Sequence, residues 1–293
     1  MTITASLVKE LRERTGAGMM DCKKALVETS GDADAAAELL RTKGQASADK
    51  KAGRIAAEGV VQIVSDAAAK IVVIMEINCE TDFVAKDENF LDFAKAAAEL
   101  ALKEQPASVE LLLDATLSGG ESLEDARRTL IAKIGENIAV RRFVIRQAQG
   151  VISQYIHGSR IGAIVDVVGG DEQLGKDIAM HVAATAPVCV AEDDVPAERL
   201  ENEKRILSEQ AAQEGKPPEI VERMVTGRLR KYLGEITLLG QPFVKDPDVS
   251  VGKLLKQGNA SVASFVRLEV GEGIEKKQED FAAEVEAQIR ASQ

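Results

Sequence analysis

Gly170-Asp171-Glu172-Gln173-Leu174-Gly175-Lys176-Asp177 is the segment whose spacing comes nearest to a known chemistry, because it fits G-x-x-x-x-G-K. In a phosphate-binding loop of that pattern, backbone amides cradle the phosphates, the Lys reaches them, and a following Ser or Thr ligates magnesium. Here Asp177 occupies the Ser/Thr position, and Asp171 and Glu172 would meet the phosphates with like charge. A tight turn followed by a capped helix accounts for the segment better. His157, in Tyr155-Ile156-His157-Gly158-Ser159-Arg160, has the type of a general base, but no nucleophile or orienting carboxylate accompanies it in sequence. His181 shares a helical stretch with Ile178 and Val182 and reads as a core residue. Cys22, Cys79 and Cys189 lie far apart without a C-x-x-C pair, which favours reduced structural thiols over a metal site. No catalytic residue, no metal site and no cofactor is expected.

A different kind of activity is written into Glu76-Ile77-Asn78-Cys79-Glu80-Thr81-Asp82-Phe83-Val84-Ala85-Lys86. Ile71 to Glu76 is a β-rich run, and the polar cluster Asn78, Glu80, Thr81, Asp82 ends it. Just beyond stand Phe83 and Val84 among charges, in a chain with seven Phe, two Tyr and no Trp. Phe is usually buried, so Phe83 could fold back onto its own core. A rigid aromatic beside a carboxylate is also the composition of an anchor for a partner's pocket.

The elements around it set that choice. From Gly59 the chain carries a repeat: Gly59-Val60-Val61 and Lys70-Ile71 through Ile77 correspond to Gly150-Val151-Ile152 and Arg160-Ile161 through Val167. Each copy predicts a β-hairpin, then a helix around Asp92–Ala96 or Asp177–His181. Each then predicts a return through a Gly-and-Asn turn into a strand, at Val140–Ile145 or Phe265–Val270. Between strand and helix the first copy is longer by about five residues, and the surplus holds Thr81, Asp82, Phe83 and Val84. Since the second copy manages without it, the comparison favours presentation of Phe83 over burial.

Three helices are predicted before the repeat, from Thr4 to about Lys43, with apolar stripes at Leu7, Val8, Leu11; at Met20, Lys24 to Leu26, Val27; and at Ala36, Leu39, Leu40 behind Asp32 as N-cap. Gly44 to Ala57 is small, polar and basic, and reads as a linker or a solvated helix. The second copy is interrupted from about Val195 to Gly234 by a charged helix (Glu198–Gln213), the breaker Gly215-Lys216-Pro217-Pro218, and a helix striped by Ile220, Val221, Met224, Val225, Leu229 and Leu233. That is an antiparallel hairpin, either a projecting arm or a flap on its own domain. A last amphipathic helix is predicted over Glu279–Arg290. The fold class is α+β, with domains expected at 1–54, 55–149, 150–273 (insertion about 195–235) and 274–293.

Composition narrows the partners. Of 293 residues 48 are acidic and 37 basic, a net charge of −11, which disfavours nucleic acid because that binding rests on cationic neutralisation of phosphates. No apolar run approaches the roughly 20 residues of a membrane span, and the amino terminus has no secretory pattern, so a cytoplasmic protein is expected.

Two stretches carry a resemblance to a known family: Leu11-Arg12-Glu13-Arg14-Thr15-Gly16-Ala17-Gly18-Met19-Met20-Asp21-Cys22-Lys23-Lys24-Ala25-Leu26 and the segment Glu76 to Lys86. His157-Gly158-Ser159-Arg160-Ile161-Gly162 and Leu239-Gly240-Gln241-Pro242-Phe243-Val244 support it. The chain resembles the bacterial elongation factor Ts family, guanine-nucleotide exchange factors for elongation factor Tu that perform no covalent chemistry. The resemblance implies that the first bundle is similar to ubiquitin-associated domains and docks on the partner's nucleotide-binding domain through a segment holding Lys9, Arg12, Met19 and Met20. It implies that the hairpin is a coiled-coil arm and that the last helix also reaches the partner; the hairpin's own residues also allow a homodimer formed through the arm. Asp82 and Phe83, framed by Thr81 and Val84, would enter between two partner helices and disturb its magnesium site, while His157 would be a further contact. The competing readings are a small-molecule or nucleotide-hydrolysing enzyme built on the Gly170–Lys176 loop and a chaperone-like or structural binding protein using bundle and arm.

Overall fold

The computed structural model describes residues 3–214 and 217–275. Helix α1 (Ala5–Thr15) starts where the Thr4 hydroxyl accepts the Leu7 N–H and stops at Gly16, whose φ of +67° turns the chain out of the helix. With α2 (Met19–Glu28) and α3 (Ala33–Lys51) it encloses a small core of Val8, Leu11, Cys22, Ala25, Leu26 and Ala36. One expectation is corrected here, and the helix alternative for the segment after Gly44 is found through Lys51. Met20 and Val27, placed by spacing in the apolar stripe of α2, are 62% and 59% exposed. At 3.6 residues per turn they lie opposite Cys22, Ala25 and Leu26, the set that meets Leu11, so the helix carries two apolar faces and only one finds a neighbour among the described residues. The small residues after Gly44 continue α3 to Lys51 and do not loosen it. A Cβ on Gly44 would sit 3.1 Å from Ala132, and Ala48 is buried, so this composition serves close helix approach.

Strands β1 (Glu58–Asp66) and β2 (Ile71–Cys79) form an antiparallel hairpin. The chain continues through α4 (Glu88–Glu104), α5 (Val109–Asp114) and α6 (Leu123–Ile134) to β3 (Ala139–Gln147), which pairs with β2 to complete the sheet β1-β2-β3. The second sheet repeats the plan: β4 (Val151–His157) and β5 (Ile161–Gly169) form a hairpin, and α7 (Glu172–Thr185) follows. After α8 (Ala197–Ala212) and α9 (Pro218–Ile236) come the short ribbon β6 (Pro242–Phe243) and β7 (Asp246–Ser250), then α10 (Val251–Gln257), and β8 (Ala260–Glu269) closes the order β4-β5-β8. The correspondence reaches details. Both central strands carry a bulge at the same step, Glu76/Ile77 and Asp166/Val167. Opposite each bulge lies a glycine, because a Cβ would stand 2.0 Å from the Ile77 carbonyl at Gly59 and 2.1 Å from the Val167 carbonyl at Gly150.

Helix α4 buries Phe90, Phe93, Ala94, Ala97 and Ala101 against the first sheet; α7 buries Ile178, Ala179 and Val182 against the second. Between the two sheets Val61, Val72 and Ile74 meet Ile164 and Leu268. Helices α8 and α9 run antiparallel, since Arg199 donates to Tyr232 near the base and Arg228 to Glu214 near the tip. Leu207, Ala211 and Val225 are buried between them. Ile220, expected in the stripe of α9, is 46% exposed, because a pair of helices buries one face of each and no third layer covers it among the described residues. The helix predicted over Glu279–Arg290 lies outside the described residues.

Candidate partner-binding surface

Strand β2 stops at Cys79 and α4 is capped by Asp87, whose side chain accepts the N–H groups of Asn89 and Phe90. The connection therefore holds residues 80–87, eight in all, where the second copy uses Gly170 and Asp171 alone. Within it the Thr81 carbonyl accepts the Ala85 N–H at 3.2 Å and the Phe83 carbonyl accepts the Lys86 N–H at 3.1 Å, winding Val84–Lys86 into one 3-10 turn. The turn faces Val84 into the core below β1 and α4 and leaves Phe83 81% exposed. Exposure of that degree excludes the reading in which Phe83 folds onto its own domain.

The loop is braced at both ends. The Glu136 carboxylate, just beyond α6, accepts the Glu80 N–H at 3.1 Å, the Thr81 N–H at 3.0 Å and the Thr81 hydroxyl at 2.7 Å. Lys86 donates to Asp82 at 2.8 Å; that ammonium, with a smaller contribution from Arg160, holds the Asp82 carboxyl below the usual carboxylate range. The carboxylate beside Phe83 is accordingly ionised and paired at neutral pH. Cys79 donates its S–H to the Thr81 carbonyl beneath the loop, and burial, reinforced by Glu136 and Glu58, pushes its thiol up to about 12.

Arg160 brings the second copy to the same place. It pairs with Glu58 on β1, and the neighbouring Ser159 carbonyl accepts the Val61 N–H at 2.8 Å. The β4–β5 turn, with His157 exposed at its start, thus abuts the subdomain that carries Phe83. The Tyr155 hydroxyl lies 3.3 Å from His157 Nδ1 with the rings stacked, so the side chain beside His157 is a phenol and not a carboxylate or a nucleophilic Ser or Cys. Lys9, Arg12, Met19 and Met20 are exposed on α1 and α2, with Met19 at 56%.

The Gly170–Lys176 segment is a capped helix start. Asp171 accepts the Leu174 N–H at 2.7 Å, Lys176 pairs with Glu172, and a Cβ on Gly175 would lie 2.0 Å from the Ser153 hydroxyl of β4. Its glycine serves helix-on-sheet packing. His181 is fully buried: Val244 N–H donates to Nδ1 at 3.2 Å, which places the proton on Nε2, and Nε2–H donates to Gln241 at 2.9 Å. Among the described residues no group of His, Cys, Asp and Glu could hold a metal ion, and no helix is long and apolar enough to cross a membrane. Sequence reasoning misses Glu136, which lies 55 and 56 positions from the two loop residues it binds and is visible only as the middle of a Gly-x-Asn turn.

The family model for Elongation factor TS matches residues 80–272, from the mouth of the Phe83 loop to just past β8. The chain belongs to the elongation factor Ts family. Proteins named Elongation factor Ts from Alkalilimnicola ehrlichii, Thioalkalivibrio sulfidiphilus and Methylococcus capsulatus are 61%, 60% and 58% identical to it, and each alignment covers all of both chains. Elongation factor Ts is a factor of translation elongation, and membership of this family extends through the amino-terminal bundle, because the relatives align from end to end.

Proposed function

We propose that the chain binds elongation factor Tu carrying GDP and promotes release of the nucleotide, without covalent chemistry of its own, so that GTP can rebind. The observation that carries this reading is Phe83, 81% exposed on a braced loop that the fold itself does not require. GDP in a GTPase is held by phosphate-loop amides, a Lys and magnesium acting together. In this proposal Asp82 and Phe83, framed by Thr81 and Val84, insert between two partner helices, dislodge the magnesium and disturb all of those contacts at once. Lys9, Arg12, Met19 and Met20 dock the bundle, with its ubiquitin-associated-like fold, on the partner's nucleotide domain, and His157 makes a further contact. Domain limits at 54, 149 and 273, the coiled-coil character of α8 and α9, and their use as an arm belong to the same proposal.

The energetics require more than one contact. If the factor prefers the nucleotide-free partner, linkage makes GDP weaken the factor by the same ratio. A 10⁴-fold effect needs roughly 5.5 kcal/mol of differential binding, and burying one Phe supplies up to about 3 kcal/mol. The bundle and the second subdomain would supply the remainder. Release of a fluorescent GDP analogue from elongation factor Tu, followed with and without the chain, tests the reading; equal release rates overturn it.

A further inference from the structure

The ladder of β2 ends at Cys79, so the next two amides, of Glu80 and Thr81, have no strand to pair with. Left to water, they would let the loop sample many conformations. Instead both point at Glu136 Oε2, and the Thr81 hydroxyl donates to Oε1 of the same carboxylate. The arrangement is reciprocal: Glu80 Oε1 accepts the Asn137 N–H at 2.6 Å. Asn137 is itself fixed, being 5% exposed and donating through Nδ2 to the Arg54 carbonyl at 2.8 Å and the Ala52 carbonyl at 3.3 Å, where α3 ends. The carboxylate that grips the loop therefore stands on backbone tied to the end of the bundle's last helix.

We propose that Glu136 is a positioning residue for exchange, holding the loop in the projecting form in which Phe83 is already presented before the partner arrives. The proposal rests on the wedge reading above. A loop ordered in advance has less freedom to lose on association, so its benefit falls on the concentration at which the factor works. Phe83 itself acts on the rate reached once the complex has formed.

The test combines two measurements on the full-length chain: GDP release from elongation factor Tu as a function of factor concentration, and amide hydrogen exchange over residues 80–87. Glu136→Ala is expected to raise the half-saturating concentration about tenfold, the equivalent of roughly 1.4 kcal/mol and of one net hydrogen bond to a charged group. The maximal rate stays within about twofold of wild type, and exchange of the Glu80 and Thr81 amides accelerates. Glu136→Gln, which keeps one acceptor oxygen, recovers part of both effects. A Glu136→Ala chain that melts like wild type with half-saturation and amide exchange unchanged overturns the proposal. Should that variant fail to fold, Thr81→Val, which removes the hydroxyl that donates to Glu136 and accepts the Val84 N–H, decides by the same two readouts. Phe83→Ala separates the failures: a slow Phe83→Ala beside a normal Glu136→Ala removes the positioning role alone, whereas a normal Phe83→Ala removes the wedge and the positioning role together.

Discussion

Phe83 and Val84 are consecutive residues that face opposite ways, one 81% and the other 9% exposed. The 3-10 turn between them gives the loop an inward foot, Val84 in the core beneath α4, and an outward head. A loop with a buried foot can press on a partner without folding under the load.

Truncating the foot is the first consequence. Val84→Ala should cost about 1 kcal/mol of stability, the lower range for removing buried methyl groups, since the side chain sits at the rim of its core. Urea unfolding checks that figure, and GDP release should slow although Phe83 is untouched. A stability loss with unchanged release would show that the foot does not support the head.

Glu76 predicts a charge-dependent stability. Burial pushes its carboxyl up, but the Gly271 N–H, Arg141, Arg142 and Asn78 together outweigh burial and hold it below the usual carboxylate range. A depressed folded pKa means stability that is present above the unfolded value, about 4.3, and is lost as pH falls below it. Glu76→Gln should therefore cost about 3 kcal/mol at pH 7, toward the low end for a broken buried pair because both Arg side chains stay partly exposed. The gap between variant and wild type should narrow at pH 4 in urea titrations.

His181 predicts a second window at higher pH. Burial pushes its pKa down, opposed by its hydrogen bond to Gln241. The folded chain then resists a proton that the unfolded chain accepts below about pH 6.5, so stability is complete above that value and falls as the pH drops, by up to about 1.4 kcal/mol per unit. His181→Gln should flatten the profile between pH 7 and 5.5; parallel profiles for the two chains would contradict the assignment of a neutral His181.

Thiol chemistry gives a second check on the loop floor. Cys79 is fully buried and its thiol is pushed up to about 12, so iodoacetamide at pH 8 should leave it unmodified in the native chain and react fully after denaturation. Rapid native alkylation at Cys79 would mean that the loop opens.

Much of this architecture is legible in the residues because local signals agree with the long-range ones. Asp32 and Asp87 cap helices as their type suggests, and Gly59 and Gly150 mark the two copies of one hairpin because each faces a bulge that admits no side chain. The eight-residue connection at 80–87 against two residues at 170–171 is visible by comparing the chain with itself. Where periodicity is ambiguous, it misleads. Met20 and Val27 share a face of α2 as Cys22 and Leu26 do, and only the position of α1 decides which face is inside. Glu136 was illegible for a different reason: its three hydrogen bonds to residues 80 and 81 join segments whose approach depends on α4, α5 and α6 first folding back on the sheet.

The central claim is that the exposed ring of Phe83 drives nucleotide release, and stopped-flow release of fluorescent GDP from elongation factor Tu with wild type and Phe83→Ala tests it most directly. Because the ring is 81% exposed, its removal should leave thermal unfolding within about 0.5 kcal/mol of wild type. The maximal release rate should fall about tenfold to a hundredfold, as loss of a 1.4 to 2.8 kcal/mol anchor implies. A Phe83→Ala chain that accelerates release as fast as wild type would contradict the account.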